Sequence, residues 1–197
     1  MCYYSNPRYD IIDLLPDIVF KNVLEIGGGT FPTLKAVSAK HKSISWGIDI
    51  YDSNPDIDNF INGSLTDPKI SDQLADNSFD LIIANDVLEH IVDTELFFET
   101  LARKKRRDGL LAMSVPNARQ VRLSYTLLIK GRFPRTEAGL FDRTHVRWFC
   151  RADVVEFAKN AGLELISHKT AGRLVPQWAN KMRLSELLAL HNLFVFL

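Results

Sequence analysis

Residues 78–86 read SFDLIIAND, a run in which apolar side chains follow one another without the alternation of a half-exposed strand. Such a run suits a strand covered on both faces, and strands of that kind belong to parallel sheets flanked by helices. Six further segments read as strands: NVLEIG (22–27), SISWGIDI (43–50), DNFING (58–63), GLLAMSVP (109–116), LELISH (163–168) and LFVFL (193–197). Helical stretches are expected at 9–15, 33–41, 67–75, 93–106, 152–161 (with Gly162 as C-cap) and 184–190. The alternation predicts an α/β fold with a doubly wound, mostly parallel seven-stranded sheet. The 197 residues suit one domain, 1–197. Ligands of such sheets bind beyond the carboxyl ends of the strands, where the strand order reverses. The loops after residues 26, 48, 62, 85 and 115 are therefore the place to look.

The first of those loops is glycine-rich: VLEIGGGT, 23–30. Glycines there let backbone approach a ligand and adopt positive φ. Asp49 ends the second strand at the roughly 20-residue spacing that suits a carboxylate on a ribose diol. Together these features point to a nucleoside cofactor without choosing between a dinucleotide and S-adenosylmethionine (SAM). Pro32 stands where a dinucleotide fingerprint has its third glycine, which fits poorly with a pyrophosphate seated on a helix N-terminus. Glu25, two residues before the glycines, offers a carboxylate for an ammonium group.

In that order, VLEIGGG, GIDI, SFDLIIANDVLEHI and LLAMSVPN resemble the class I SAM-dependent methyltransferases over roughly residues 8–170. The resemblance implies SAM as cofactor and S-adenosylhomocysteine as product. It implies that Gly27, Gly28 and Gly29 face the methionine part and that Glu25 assists its amino group. Asp49 would bind the ribose diol and Ile50 would pack on the adenine. Ser64 and Leu65 would lie near the adenine amine, and Asn85 beside the methionine end. The sequence departs from the family twice: Phe31 replaces the last motif glycine, and Ser64 replaces the commoner aspartate. A SAM-binding domain without catalysis, regulatory or scaffolding, is the alternative these departures leave open.

Between the fifth strand and the helix near Ala152 lies a long segment, 117–150, expected to form a lid over the site. From Arg119 to Arg147 it holds seven basic residues against Glu137 and Asp142, a local surplus on a chain of zero net charge. Val121, Tyr125 and Leu128 recur at helical spacing, predicting a short amphipathic helix that either packs into the core or meets a lipid or partner chain. The stretch GRFPRTEAGLFDRTHVRWFC resembles a bacterial methyltransferase subgroup found in surface-polysaccharide and sugar modification. That implies transfer to a hydroxyl of a sugar or glycan intermediate. Phosphate on such a substrate would suit Arg132, Arg135, Arg143 and Arg147. Nucleic acid is not expected, because Phe133, Trp148 and Phe149 offer no broader stacking platform.

A sugar hydroxyl gains from a base near neutrality, and histidine suits that role. His145, in the lid, is the first candidate for base or substrate orienter, with anchoring of the lid as its other reading. His90 is the second, unless it holds the lid or caps its helix. Asp86 is placed to orient either imidazole or accept a substrate hydroxyl, while Asp142 and Arg143 are expected to pair. No metal-ligand cluster is legible, and the chemistry needs none. The basic run Arg103–Arg107 reads as a helix C-terminus. Two cysteines, Cys2 and Cys150, no basic-then-apolar start and no apolar run near the roughly 20 residues of a membrane span complete the expectation of a cytoplasmic protein.

Overall fold

The computed structural model describes residues 6–172 and 185–197. Cys2 and the first residue of the expected helix at 184–190 lie outside them. The sheet has seven strands in the order β3-β2-β1-β4-β5-β7-β6. They are β1 (Asn22–Ile26), β2 (Ile44–Asp49), β3 (Asn59–Asn62), β4 (Phe79–Asn85), β5 (Lys105–Pro116), β6 (Leu165–Ala171) and β7 (His191–Phe196). All neighbours pair in parallel except β7, which runs antiparallel to both β5 and β6. The strand order reverses between β1 and β4, so the carboxyl ends of these two strands frame the crevice that such sheets use for ligands.

Helices cover both faces, and the strands divide their side chains between two cores, as a period of two requires. Leu24, Ile26, Ile82, Ala84, Leu111 and Met113 face one layer. There they meet Phe97, Phe98 and Leu101 of α4 (Thr94–Lys104) and Val154 and Ala158 of α6 (Arg151–Asn160). Val23, Leu81, Ile83, Leu110 and Ala112 face the other, against Ile11 of α1 (Tyr9–Ile12) and Leu34 and Val37 of α2 (Pro32–His41). Gly162 follows α6 at φ 81 and its amide donates to Lys159 O, which closes that helix as expected. The remaining helices are α3 (Pro68–Ser71), α5 (Val121–Leu128) and α7 (Ser185–Leu188). Among the described residues no helix is long and apolar enough to cross a membrane.

Two helices are shorter than expected. The one read at 9–15 stops at Ile12, and the one at 67–75 stops at Ser71. The basic run falls at a helix C-terminus as expected, with Arg103 and Lys104 in the last turn of α4, and its remainder opens β5 at Lys105. Lys104 is buried, its Nζ donating to Leu74 O at 2.7 Å and to Asp76 Oδ1 at 2.6 Å, so this charge is structural. On α5 the expected amphipathic helix forms, but Val121, Tyr125 and Leu128 are exposed and only Leu123 is buried, so that stripe is not core.

The segment 117–150 leaves and returns at one point. Asn117 and Phe149 pair as an isolated parallel bridge, and Ala118 N donates to Phe149 O. Its far end docks on the turn after β4, where Val146 N and Arg147 N both donate to Glu89 O.

Candidate active site

The crevice is built from the ends of β1, β2 and β4 inward. β1 delivers Glu25 and then the glycine turn. Gly27 and Gly29 take φ of 66° and 59°, conformations that side chains rarely adopt. A Cβ on Gly27 would stand 2.6 Å from Val87 Cγ2. Phe31 also sits in the left-handed region at φ 57°, where glycine would be at ease. Its ring explains the departure from the family pattern. It is fully buried under the turn, so close that a Cβ on Gly28 or Gly47 would strike it. The ring therefore supports the glycine loop from below instead of occupying the ligand side.

Glu25 is buried, and its Oε2 accepts the amide of Leu34 in the first turn of α2 at 2.9 Å. With Phe31 giving no side-chain cap and Pro32 lacking an N–H, this carboxyl takes the anion position at the helix N-terminus. A pyrophosphate would compete for the same seat, which weighs against a dinucleotide. Burial pushes the Glu25 pKa up to about 7. Asn85 lies next to it, close enough to oppose that rise. Neither atom of the Asn85 amide makes a hydrogen bond of good geometry among the described residues, although both are buried. A buried amide without a well-formed partner leaves hydrogen-bonding capacity for a polar ligand.

The sign of the Glu25 effect is testable. A carboxyl whose folded pKa lies above its unfolded one contributes stability that is whole below about 4.5 and is lost as pH rises through about 7. The ligand-free protein is thus expected to lose melting temperature between these pH values, by an amount equivalent to about 3 kcal/mol at most. Glu25→Gln, which keeps an acceptor for Leu34 N, should flatten the profile. An unchanged slope in that variant would place the titration elsewhere.

Asp49 is buried at the end of β2. Its Oδ2 accepts Gly29 N at 2.8 Å and its Oδ1 accepts Tyr51 N at 2.9 Å. The carboxylate therefore fastens the glycine turn, and each oxygen keeps a further lone pair for a hydroxyl. Ile50 beside it is 64% exposed, an apolar platform at the mouth. Ser64 turns its hydroxyl onto Thr66 Oγ1 at 2.9 Å. Leu65 is buried in the core, so its side chain is not a ligand contact and only its backbone is available to one.

Beyond β4 the sequence-based roles change. Asp86, at φ 54°, orients neither His90 nor His145 through a hydrogen bond. Its Oδ2 accepts Arg8 Nη1 at 2.7 Å and its Oδ1 accepts Ser114 Oγ at 2.8 Å, with His191 Nε2 at 3.6 Å. Arg8 was not legible as a site residue, because nothing in its local sequence marks it. It also binds Asp10 through Nε and Nη2, and its backbone N donates to Thr33 Oγ1. Asn6 and Arg8 close one side of a small cavity bounded by Glu25, Gly27, Gly28, Asn85 and Asp86, with about 30 Å³ free.

His90 and His145 do come together, with ring centroids 4.9 Å apart. His90 Nδ1 lies 3.1 Å from Thr144 O, and His145 Nδ1 lies 3.2 Å from Leu140 O. A carbonyl only accepts, so both rings carry their proton on Nδ1 and present the lone pair of Nε2. Burial, and then the neighbouring His90, hold the His145 pKa below the usual histidine value, which keeps it neutral. Between them stands Glu89, buried, its pKa pushed well above the carboxylate range by burial and by the charge of Asp86. No metal-ligand cluster is legible in the sequence. The fold nonetheless brings Glu89, His90 and His145 within ligand reach of one another.

The lid arginines do not converge. Arg143 pairs with Glu137 at 3.0 Å, not with Asp142, whose carboxylate instead receives Thr144 N and Oγ1. Arg147 Nη2 is spent on Val92 O at 2.6 Å. Arg132 and Arg135 are exposed and make no ion pair among the described residues.

The family model described as a methyltransferase domain matches residues 5–168. No curated protein matches the chain in sequence. Solved structures of the same fold include a SAM-dependent methyltransferase from Mesorhizobium loti, 12% identical, TM-score 0.67, with 95% of each chain covered. A possible histamine N-methyltransferase from Thermotoga maritima is 16% identical at TM-score 0.64, covering 98% of this chain and 87% of that one. A putative methyltransferase of Haloferax volcanii, solved with its Trm112 activator, is 15% identical at TM-score 0.66, covering 96% and 86%.

Proposed function

The chain belongs to the methyltransferase-domain family, with SAM as its cofactor, and from that premise we propose that it methylates a hydroxyl of a phosphate-bearing sugar or glycan intermediate in polysaccharide biosynthesis in the cytoplasm. The crevice residues fit the cofactor. Glu25 and Asn85 would take the methionine ammonium and carboxylate region, Asp49 the ribose diol and Ile50 the adenine. SAM supplies an electrophilic methyl on a sulfonium. Transfer forms an O–CH3 bond, breaks S–CH3 and releases one proton from the acceptor hydroxyl. Nε2 of His145, or of His90 beside it, would accept that proton on the lid side. Arg8 lines the same crevice, so its guanidinium would stand beside the methionine end.

The observation that carries the acceptor class is the pair Arg132 and Arg135, basic, exposed and without ion-pair partners on a segment docked beside the β4 loop. Labelled SAM offered with nucleotide-sugars, lipid-pyrophosphate glycans and their dephosphorylated forms would test it. Methyl incorporation is expected only into the phosphorylated acceptors. Arg132→Ala with Arg135→Ala should raise KM roughly tenfold or more, the equivalent of one charge-assisted contact. Equal incorporation into neutral sugars would sink the phosphate requirement.

A further inference from the structure

Glu89, His90 and His145 form a cluster that the proton-transfer role leaves half explained. Both carboxylate oxygens of Glu89 are buried and hydrogen-bonded to nothing among the described residues. His145 Nε2 stands 3.8 Å from Oε1, too far for a hydrogen bond. The Glu89 carboxyl and one nitrogen of each imidazole thus lie within ligand reach of one another. Buried polar atoms are almost always satisfied, and an orphaned pair of this kind calls for a missing partner. A partner that engages all three groups at once, displacing any proton on the carboxyl, is a cation.

We propose that Glu89, His90 and His145 bind one first-row divalent cation of the zinc type. Both histidines are fixed as metal-binding histidines usually are, with Nδ1–H held by a backbone carbonyl, which leaves Nε2 as the nitrogen for an ion. Two imidazoles with one carboxylate suit zinc, cobalt or iron, and they suit poorly magnesium or calcium, which favour oxygen. Ligand atoms on a common ion at about 2.1 Å can stand no more than about 4.2 Å apart. The three atoms lie within 4.8 Å of one another, so the cluster needs to draw in only slightly. Three protein ligands leave a coordination position open for water. His90, the most exposed of the three, marks the open side. The ligands come from both partners of the lid contact, the turn after β4 and the segment 117–150, so the ion would also pin the lid. The inference claims the same imidazole lone pairs as the proposed function; a lone pair held by an ion no longer accepts a proton, and metal uptake tests this site apart from methyl transfer and from the acceptor class.

The test is metal binding by full-length, chelator-stripped protein. Titration with Co2+ is expected to give one equivalent bound per chain, with visible absorption bands that Zn2+ abolishes. Glu89→Gln and His145→Ala should each weaken Co2+ binding by more than about tenfold. Both should bind SAM like the parent, which shows the fold intact and keeps this result separate from the methyl-transfer reading. Zn2+ should raise the melting temperature of the parent and not of Glu89→Gln, while His168→Ala should respond like the parent. Failure of folded, SAM-binding parent to take up Co2+, or equal uptake by Glu89→Gln and His145→Ala, would overturn the site.

Discussion

Replacing Asp49 with alanine is expected to weaken SAM binding by roughly 10- to 150-fold, the worth of a charge-assisted hydrogen bond. The structure makes the upper part of that range the better expectation. On the proposed reading Asp49 is the ribose carboxylate, and it is also the acceptor for Gly29 N and Tyr51 N, so its loss also releases the turn that shapes the crevice. Asp49→Asn separates the two roles. It keeps one carbonyl oxygen for a backbone amide but removes the charge, and it should recover much of the melting temperature while recovering less of the affinity. Calorimetry with SAM and S-adenosylhomocysteine measures both variants, with NADH as the control that should stay silent. Affinity unchanged in Asp49→Ala would mean that the cofactor does not use the end of β2.

His145→Ala is expected to lower kcat by roughly 10²- to 10⁴-fold, the range that a positioned proton acceptor contributes. SAM affinity should stay within about twofold, as for a site with no shared partner. The split between kcat and KM is the informative part. His145 shares Leu140 O with the indole of Trp148, so it also helps to hold the lid. If lid anchoring were its whole contribution, KM for the acceptor would rise while kcat stayed near the parent value. Turnover equal to the parent at saturating acceptor would remove His145 from the chemistry.

The sheet was readable because its strands are written in local terms. A buried parallel strand is a continuous apolar run, and β4 and β5 carry the clearest ones. The cofactor loop was readable for the same reason, since Glu25, the glycines and Asp49 sit at fixed distances from strand ends. What the sequence hid depends on contacts between distant segments. Arg8 pairs with Asp86 from 78 residues away, and no local pattern marks an arginine that will be partly buried in such a pair. His145 joins Glu89 and His90 only after β5 and the lid have been laid down, so the cluster has no spacing signature. Charge counts say nothing of the partners that Arg143 and Arg147 take, Glu137 and Val92 O. Helical periodicity tells which residues of α5 share a face, and not whether that face meets the core, so the two readings of its stripe stay open until the fold shows it exposed.

The place of β7 in the sheet bears on how the protein comes into being. This strand follows β6 in the chain yet lies between β5 and β6, making the antiparallel ladder with each. Until residues 191–196 leave the ribosome, β5 and β6 have no common neighbour, and Leu111, Met113 and Val115 border an open, sticky edge. The nascent chain can assemble β1 to β4 as it emerges, but the second half of the sheet must wait for its keystone. Synthesis that stalls just short of β7 would therefore release a product prone to self-association, and chaperone demand should be highest in that interval.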